Sequence, residues 1–267
     1  MRKNGCVEVG NTDMYYAAFG EGAKILVVLP GLSDGFWTVK GKAWLLAGSY
    51  RRFFKDYTVY MFSRKNDLPK KYTIKEMADD QALAMKSLGI DKAMVMGVSQ
   101  GGMVAQLLAA NYPELVEKLI LVVTAPYAND TIKSVVSKWI DMTSSDTHAA
   151  LMLDTADKVY TREYNEKNGK YLSLVAGLTK PASYDRFLSN ANAILSFDAR
   201  EELPKITCPT LIMSGNRDET VGNDAPYELN AGIAGSELMI FDGLGHGLFE
   251  EDREFYNKVY DYCESYR

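Results

Sequence analysis

The chain has 267 residues, 47% of them hydrophobic and 24% charged, the balance of an ordinary globular protein rather than a disordered or fibrous one. Its net charge of −5 gives no basic footprint for nucleic acid or an anionic membrane surface, and none for a polyanionic substrate. Cys6, Cys208 and Cys263 are far apart and odd in number, which argues against a disulfide framework and, with no Cys-x-x-Cys pair, against zinc, so a reducing, cytoplasmic compartment is expected.

The first residues, MRKNGCVEVG, carry early basic side chains but no apolar h-region, so they do not read as a signal peptide. No apolar run approaches the length of a membrane span. Two strand candidates lie in the first 30 residues: the loosely alternating MYYAAFG, and Lys24–Leu29, a continuous apolar run ended by Pro30-Gly31. Tyr57–Phe62 is the next strand. Thr73-Ile74-Lys75-Glu76 is a capping box, and the apolar positions from Ile74 to Leu88 recur at helical spacing until Gly89. A short strand from Ala93 to Gly97 precedes a helix predicted from Gln100 to Tyr112, and Leu119–Val123 is another buried strand. From about Tyr127 to Arg200 strand signals stop and helical patterns with scattered aromatics take over. Thr210–Met213 and Glu237–Phe241 are strands with a helix between them, and a last helix is expected from about Glu250.

Strands that are apolar throughout, alternating with helices, predict an α/β fold: a mostly parallel central sheet with helices on both faces. The middle stretch is too long for a structureless loop. It reads as an inserted helical subdomain, residues 127–200, packed on the sheet's edge, with residues 1–126 and 201–267 forming the core.

Two pentapeptides match Gly-x-Ser-x-Gly, the signature of a nucleophile elbow: Gly31–Gly35 and Gly97–Gly101. An elbow must join a strand to a helix, because the free amides at the helix start face the reacting centre. Ser99 meets this requirement: a strand ends at Gly97, and Met103, Val104, Leu107 and Leu108 follow at helical spacing. Ser33 follows a strand, but Asp34-Gly35-Phe36-Trp37 does not open a helix, and GLSDG reads as a glycine-rich turn. Acyl transfer needs two N–H donors for its oxyanion, so Ser99 is the expected nucleophile and the backbone amides of Leu32 and Gln100 are the expected donors.

PGLSDG after an early strand, MGVSQGG at the elbow, SGNRDETV after a later strand and GLGHGLFEE near the end together resemble the α/β-hydrolase superfamily, in its branch of small cap-bearing esterases and related hydrolases. The resemblance covers nearly the whole chain. It implies the α/β-hydrolase fold with a helical cap, and a triad in the order Ser…Asp…His, which falls here on Ser99, Asp218 and His246. Pro30-Gly31 stands where many members have His-Gly.

The chain has two histidines. His246 lies in a glycine-flanked turn after a strand, where open α/β sheets build their sites; His148 lies inside the helical insertion and reads as a structural residue. Asp218 follows the strand Thr210–Met213, with Glu219 and Asp242 as nearby competitors whose reach sequence does not measure. Gly35–Lys42 fails as a P-loop, with five residues between its glycines and Ala43 in place of Ser/Thr. With no GxGxxG and no HExxH, neither cofactor nor metal is expected. The basic run from Lys65 to Lys75 reads as a solvated loop.

The insertion is expected to roof the site. Trp139, Met142, Met152, Tyr160, Tyr164, Tyr171, Tyr184 and Phe187 are candidates for its inner face, although packing of the insertion itself accounts for most of them. Phe36, Trp37, Met103 and Trp139 are the expected substrate-binding residues, an aromatic, Met-containing set suited to an uncharged, moderately apolar acyl group. The expected activity is hydrolysis of a small carboxylic ester. C–C or amide cleavage and acyl transfer on the same triad stay open, as do a non-enzymatic ligand-binding member and a cofactor-free oxygenase. A haloalkane dehalogenase would need Asp at the elbow. The expected partner is a small-molecule substrate.

Overall fold

The apolar runs become strands because each buries both of its faces. Leu26 and Val28 pack on one side of the sheet while Val27 and Leu29 pack on the other; Met94 and Met96 oppose Val95, and Ile120 and Val122 oppose Leu119 and Leu121. Each fully buried aliphatic side chain contributes about 2 kcal/mol relative to leaving it in water. In the computed structural model, which describes residues 1–178 and 180–265 but not the side chains of 170–175, 177 and 178, these runs form one eight-stranded sheet. The strands are β1 (Arg2–Val9), β2 (Thr12–Gly20), β3 (Lys24–Leu29), β4 (Tyr57–Lys65), β5 (Ala93–Val98), β6 (Val116–Val122), β7 (Thr210–Gly215) and β8 (Glu237–Phe241). Their spatial order is β1-β2-β4-β3-β5-β6-β7-β8. The six strands from β3 onward are mutually parallel, while β1 and β2 pair antiparallel with each other and β2 pairs antiparallel with β4.

The helices are α1 (Ala43–Leu46), α2 (Ile74–Ser87), α3 (Gln100–Asn111), α4 (Asp130–Ser145), α5 (His148–Val159), α6 (Arg162–Leu178), α7 (Asp185–Leu195), α8 (Ala225–Gly232), α9 (Leu248–Glu251) and α10 (Phe255–Glu264). One face of the sheet is covered by α2, α3 and α8, the other by α1, α9 and α10. None of the helices among the described residues is long and apolar enough to cross a membrane.

The start of α2 follows from its four-residue signature. The Thr73 side chain accepts from Glu76 N at 3.2 Å, and Glu76 Oε2 accepts from Thr73 N at 2.7 Å. Thr73→Ala leaves the Glu76 amide without its acceptor and is expected to lower stability by about 1 kcal/mol, read as a shift of the denaturation midpoint at unchanged slope.

Three features depart from the sequence reading. The insertion does not sit on the sheet's edge: it leaves between β6 and β7, adjacent strands with β8 beyond them, and α7 packs on the turn that follows β3. It therefore lies over the C-terminal ends of the strands. Its two ends are tied where Ala128 N donates to Phe197 O and Ala199 N to Pro126 O, at 2.9 and 2.8 Å. GLSDG, read as a turn, is a single 3-10 turn, Leu32–Gly35. The C-terminal helix is two, α9 and α10, with Asp252 between them turning its side chain to Glu254 N and the Lys258 ammonium. Lys65, read as solvated, is mostly buried: it pairs with Asp80 at 3.0 Å and lies over the Tyr72 ring.

Candidate active site

The C-terminal ends of β3, β5, β6, β7 and β8 converge. Ser99 joins β5 to α3 with φ 53° and ψ −120°, a conformation that costs a non-glycine residue about 1–3 kcal/mol and persists only where the surroundings impose it. Here they do. Ser99 N donates to Val122 O at 2.9 Å, and Ser99 O accepts from Gly102 N and from the Thr124 hydroxyl, both at 2.8 Å. A Cβ on Gly101 would lie 1.9 Å from Leu29 O, and one on Gly97 2.4 Å from Gly101 O, so no larger residue fits either place. Val123, which follows β6, also has positive φ, 44°. It is β-branched and uncommon in that region, and it lies in the strand end that holds Ser99.

The loop after β8 carries His246 and the loop after β7 carries Asp218, both buried. His246 Nε2 lies 3.0 Å from Ser99 Oγ, and His246 Nδ1 lies 2.8 Å from Asp218 Oδ2. With Asp218 ionised, Nδ1–H donates to the carboxylate and Nε2 is left to accept the serine proton. The other oxygen, Asp218 Oδ1, accepts from Thr220 N at 2.8 Å and Val221 N at 2.9 Å, which fixes the carboxylate's rotation.

The competitors lie elsewhere. Asp242 accepts from Asn216 Nδ2, and Glu219 pairs with Lys158. His148 hydrogen-bonds Tyr184 within the insertion, and Ser33 is exposed.

Leu32 opens the turn after β3 and Gln100 opens α3. The first amides of a helix have no carbonyl partner within it. The Leu32 turn runs beside Ser99: a Cβ on Gly31 would lie 3.2 Å from Ser99 Cβ and 3.8 Å from its Oγ.

The four expected substrate-binding residues divide. Phe36 stacks on Phe187 of α7, with centroids 4.4 Å apart, and meets Tyr184 and His148 edge-on, so it joins the core to the insertion directly above the Leu32 turn. Met103 is buried in α3. Trp139 is buried in α4 with its indole N–H donated to Asp154. Trp37 is 37% exposed and carries the Lys42 ammonium over its ring. Of the inner-face candidates, Tyr160 and Tyr164 stack on each other at 4.6 Å; the Tyr171 side chain lies outside the described residues.

Two sets of contacts hold the insertion to the site. Between α5 and α6, Val159 O accepts from Gly247 N at 2.6 Å, the Tyr160 hydroxyl donates to Glu250, and Thr161 N donates to Glu251. Burial pushes the Glu250 carboxyl above its ordinary range, partly offset by the Tyr160 hydroxyl.

On the other side, Arg186 of α7 makes four bonds. Its guanidinium donates to Asp34 O, Asp34 Oδ2, Arg64 O and Lys65 O at 2.7 to 2.9 Å. Asp34 is 2% exposed and Arg64 3%. Arg64 donates from Nη2 to Pro30 O at 2.8 Å and to Gln100 Oε1 at 3.3 Å, and Gln100 Nε2 donates to Asn190 O at 2.7 Å. Burial pulls the Arg64 guanidinium below its usual value, and the Asp34 carboxylate offsets part of that. Sequence reading missed this cluster. Its only local trace was Asp34, a charged residue in a turn read as glycine-rich.

A family model described as the alpha/beta hydrolase fold matches residues 55–253. The Bacillus subtilis AB hydrolase superfamily protein YisY is 30% identical over 70% of this chain and 72% of its own length. The human serine hydrolase BPHL is 26% identical over 95% of this chain and 83% of its own. Among solved structures, the enol-lactonase from Burkholderia xenovorans LB400 superposes with a TM-score of 0.83 at 22% identity, covering 98% of this chain and all of that one.

Proposed function

The chain belongs to the α/β-hydrolase family, and on that footing we propose that it is a serine hydrolase cleaving a small, moderately apolar carboxylic ester through an acyl-enzyme. The observation that carries this reading is the continuous hydrogen-bonded line from Ser99 Oγ through the His246 ring to Asp218 Oδ2, at 3.0 and 2.8 Å. The human relative named a serine hydrolase supports the reaction class.

A serine hydroxyl is a weak nucleophile until a base takes its proton as it attacks. His246 Nε2 receives that proton while Ser99 Oγ bonds to the ester carbonyl carbon, and the carbonyl electrons move onto oxygen. The amides of Leu32 and Gln100 receive the resulting oxyanion. When the tetrahedral intermediate collapses, the C–O bond to the alcohol breaks and His246 returns the proton to the departing oxygen. Water then repeats the sequence on the acyl-enzyme: His246 takes its proton, hydroxyl adds to carbon, and the carboxylic acid leaves Ser99 protonated again. Asp218 holds the ring in the tautomer that leaves Nε2 open and stabilises the imidazolium.

The helices between residues 127 and 200 act as the cap. The paired neck at Ala128 and Ala199 and their position over the strand ends support this. Phe36, stacked beneath Phe187, makes the acyl side aromatic and apolar, which favours an uncharged acyl group.

A fluorophosphonate probe tests the reading, because it phosphonylates a serine that has both a base and an oxyanion site. Peptide mapping is expected to place the label on Ser99, and His246→Ala is expected to abolish it. A label on Ser33, or none on a chain that binds ligand without turnover, would refute the proposal.

A further inference from the structure

The two amides assigned to the oxyanion come from segments 68 residues apart in sequence, the Leu32 turn and the start of α3. Oxyanion donors work only when preorganised, at hydrogen-bond distance from the place where charge develops. Something must set the separation of these segments, and backbone pairing alone does not: the ladder between β3 and β5 ends at Leu29↔Gly97, before either donor. One side chain spans the gap. Arg64, at the end of β4, donates from the same Nη2 to Pro30 O, two residues before Leu32, and to the side chain of Gln100 itself.

The arrangement is costly in a way that packing does not explain. Arg64 Nε and Asp34 Oδ1 are buried without a hydrogen-bond partner, and Asp34 Oδ2 accepts from the Arg186 guanidinium and from the Arg64 backbone amide. A buried, incompletely satisfied ion cluster is often replaceable by apolar residues at no loss of stability. Its position at the base of both donor segments gives it a different use.

We propose that Arg64 is a positioning residue for the oxyanion site, holding the Pro30–Leu32 segment and Gln100 at fixed separation through the two bonds donated by its Nη2. The proposal rests on the serine-hydrolase reading above. Arg64 touches no reacting atom. It acts through the two amides. Arg186 ties the same cluster to α7, so that helix and the Leu32 turn are joined through one set of bonds.

The test uses the full-length protein with p-nitrophenyl butyrate as substrate and a trifluoromethyl ketone as the inhibitor that forms an anionic adduct on Ser99. Arg64→Lys keeps the charge and loses the planar group that fixes Nη2 between the two acceptors; Arg64→Met loses both. Gln100→Met removes the other end of the link and keeps the Gln100 amide. Misplacing one oxyanion donor costs on the order of 10²-fold in kcat. The expected result is a kcat fall of about 10-fold for Arg64→Lys and Gln100→Met and about 100-fold for Arg64→Met, with KM within about threefold of wild type. Affinity for the ketone should fall in parallel with kcat/KM. A merely structural role would lower the melting temperature without this split. If Arg64→Met does not fold, the two milder variants decide the matter. Full kcat in both of them, in a wild type that fluorophosphonate labels at Ser99, overturns this proposal alone. A wild type that is not labelled overturns the hydrolase reading and this proposal together.

Discussion

Ser99→Ala is expected to lower kcat on a carboxylic ester by a factor on the order of 10⁵ or more, because the nucleophile, base and acid act as one unit. The same unity predicts that His246→Ala costs a similar factor and that the double variant is little worse than either single one. Steady-state rates of the three variants check this; a double variant far below both singles would mean that Ser99 and His246 serve separate steps. Stability moves independently of activity at this position. The backbone of Ser99, at φ 53° and ψ −120°, penalises any side chain bearing a Cβ, and alanine inherits that penalty while glycine escapes most of it. Ser99→Gly is therefore expected to melt at a higher temperature than Ser99→Ala, with both inactive. Equal melting temperatures would show that the elbow holds no appreciable strain.

How much of this site was legible depended on whether its constraint is local. The elbow was legible because the constraint is carried by five consecutive residues: a serine in a strained turn needs space two positions to either side, and Gly97 and Gly101 supply it against Gly101 O and Leu29 O. His246 was legible by elimination, since only two histidines exist. The parallel sheet was legible because strands buried on both faces lose alternation and become apolar runs. The motif order puts Asp218 ahead of Glu219 and Asp242, and the reach that separates them lies in side-chain direction, which sequence does not carry: Asp218 turns to His246, whereas Asp242 turns to Asn216 and Glu219 to Lys158. The position of the insertion was misread because sequence shows where a segment leaves the chain, not where β6 and β7 stand in the sheet. The Asp34–Arg64–Arg186 cluster was invisible for a stronger reason. Its partners are 30 and 152 residues apart along the chain, and a buried charge in a strand end looks, residue by residue, like the beginning of a polar loop.

Asp218→Asn is expected to lower kcat by a factor on the order of 10⁴ with little change in stability, and the hydrogen bonds say why. One carboxylate oxygen, Oδ1, accepts from the Thr220 and Val221 amides. In the asparagine variant that place must stay an acceptor, so the carboxamide oxygen occupies it. The NH2 group then faces His246 Nδ1, at the position of the oxygen that now accepts from it at 2.8 Å. Two N–H groups cannot share that contact, so Nδ1 becomes the acceptor and the ring proton moves to Nε2. There it points at Ser99 Oγ, and the base has no lone pair left for the serine proton. All the hydrogen bonds remain satisfied, which is why the fold tolerates the change that the chemistry does not. The variant also lacks the negative charge that stabilises the imidazolium formed during attack. Asp242→Asn, whose partner is Asn216 rather than the histidine, is expected to keep kcat within about twofold, as a surface polar change distant from the reacting atoms should. Measuring both variants at matched melting temperatures separates the roles. Loss of activity in the Asp242 variant, with turnover kept in the Asp218 variant, would move the orienting acid from the loop after β7 to the loop after β8 and require His246 to turn its ring in the working enzyme.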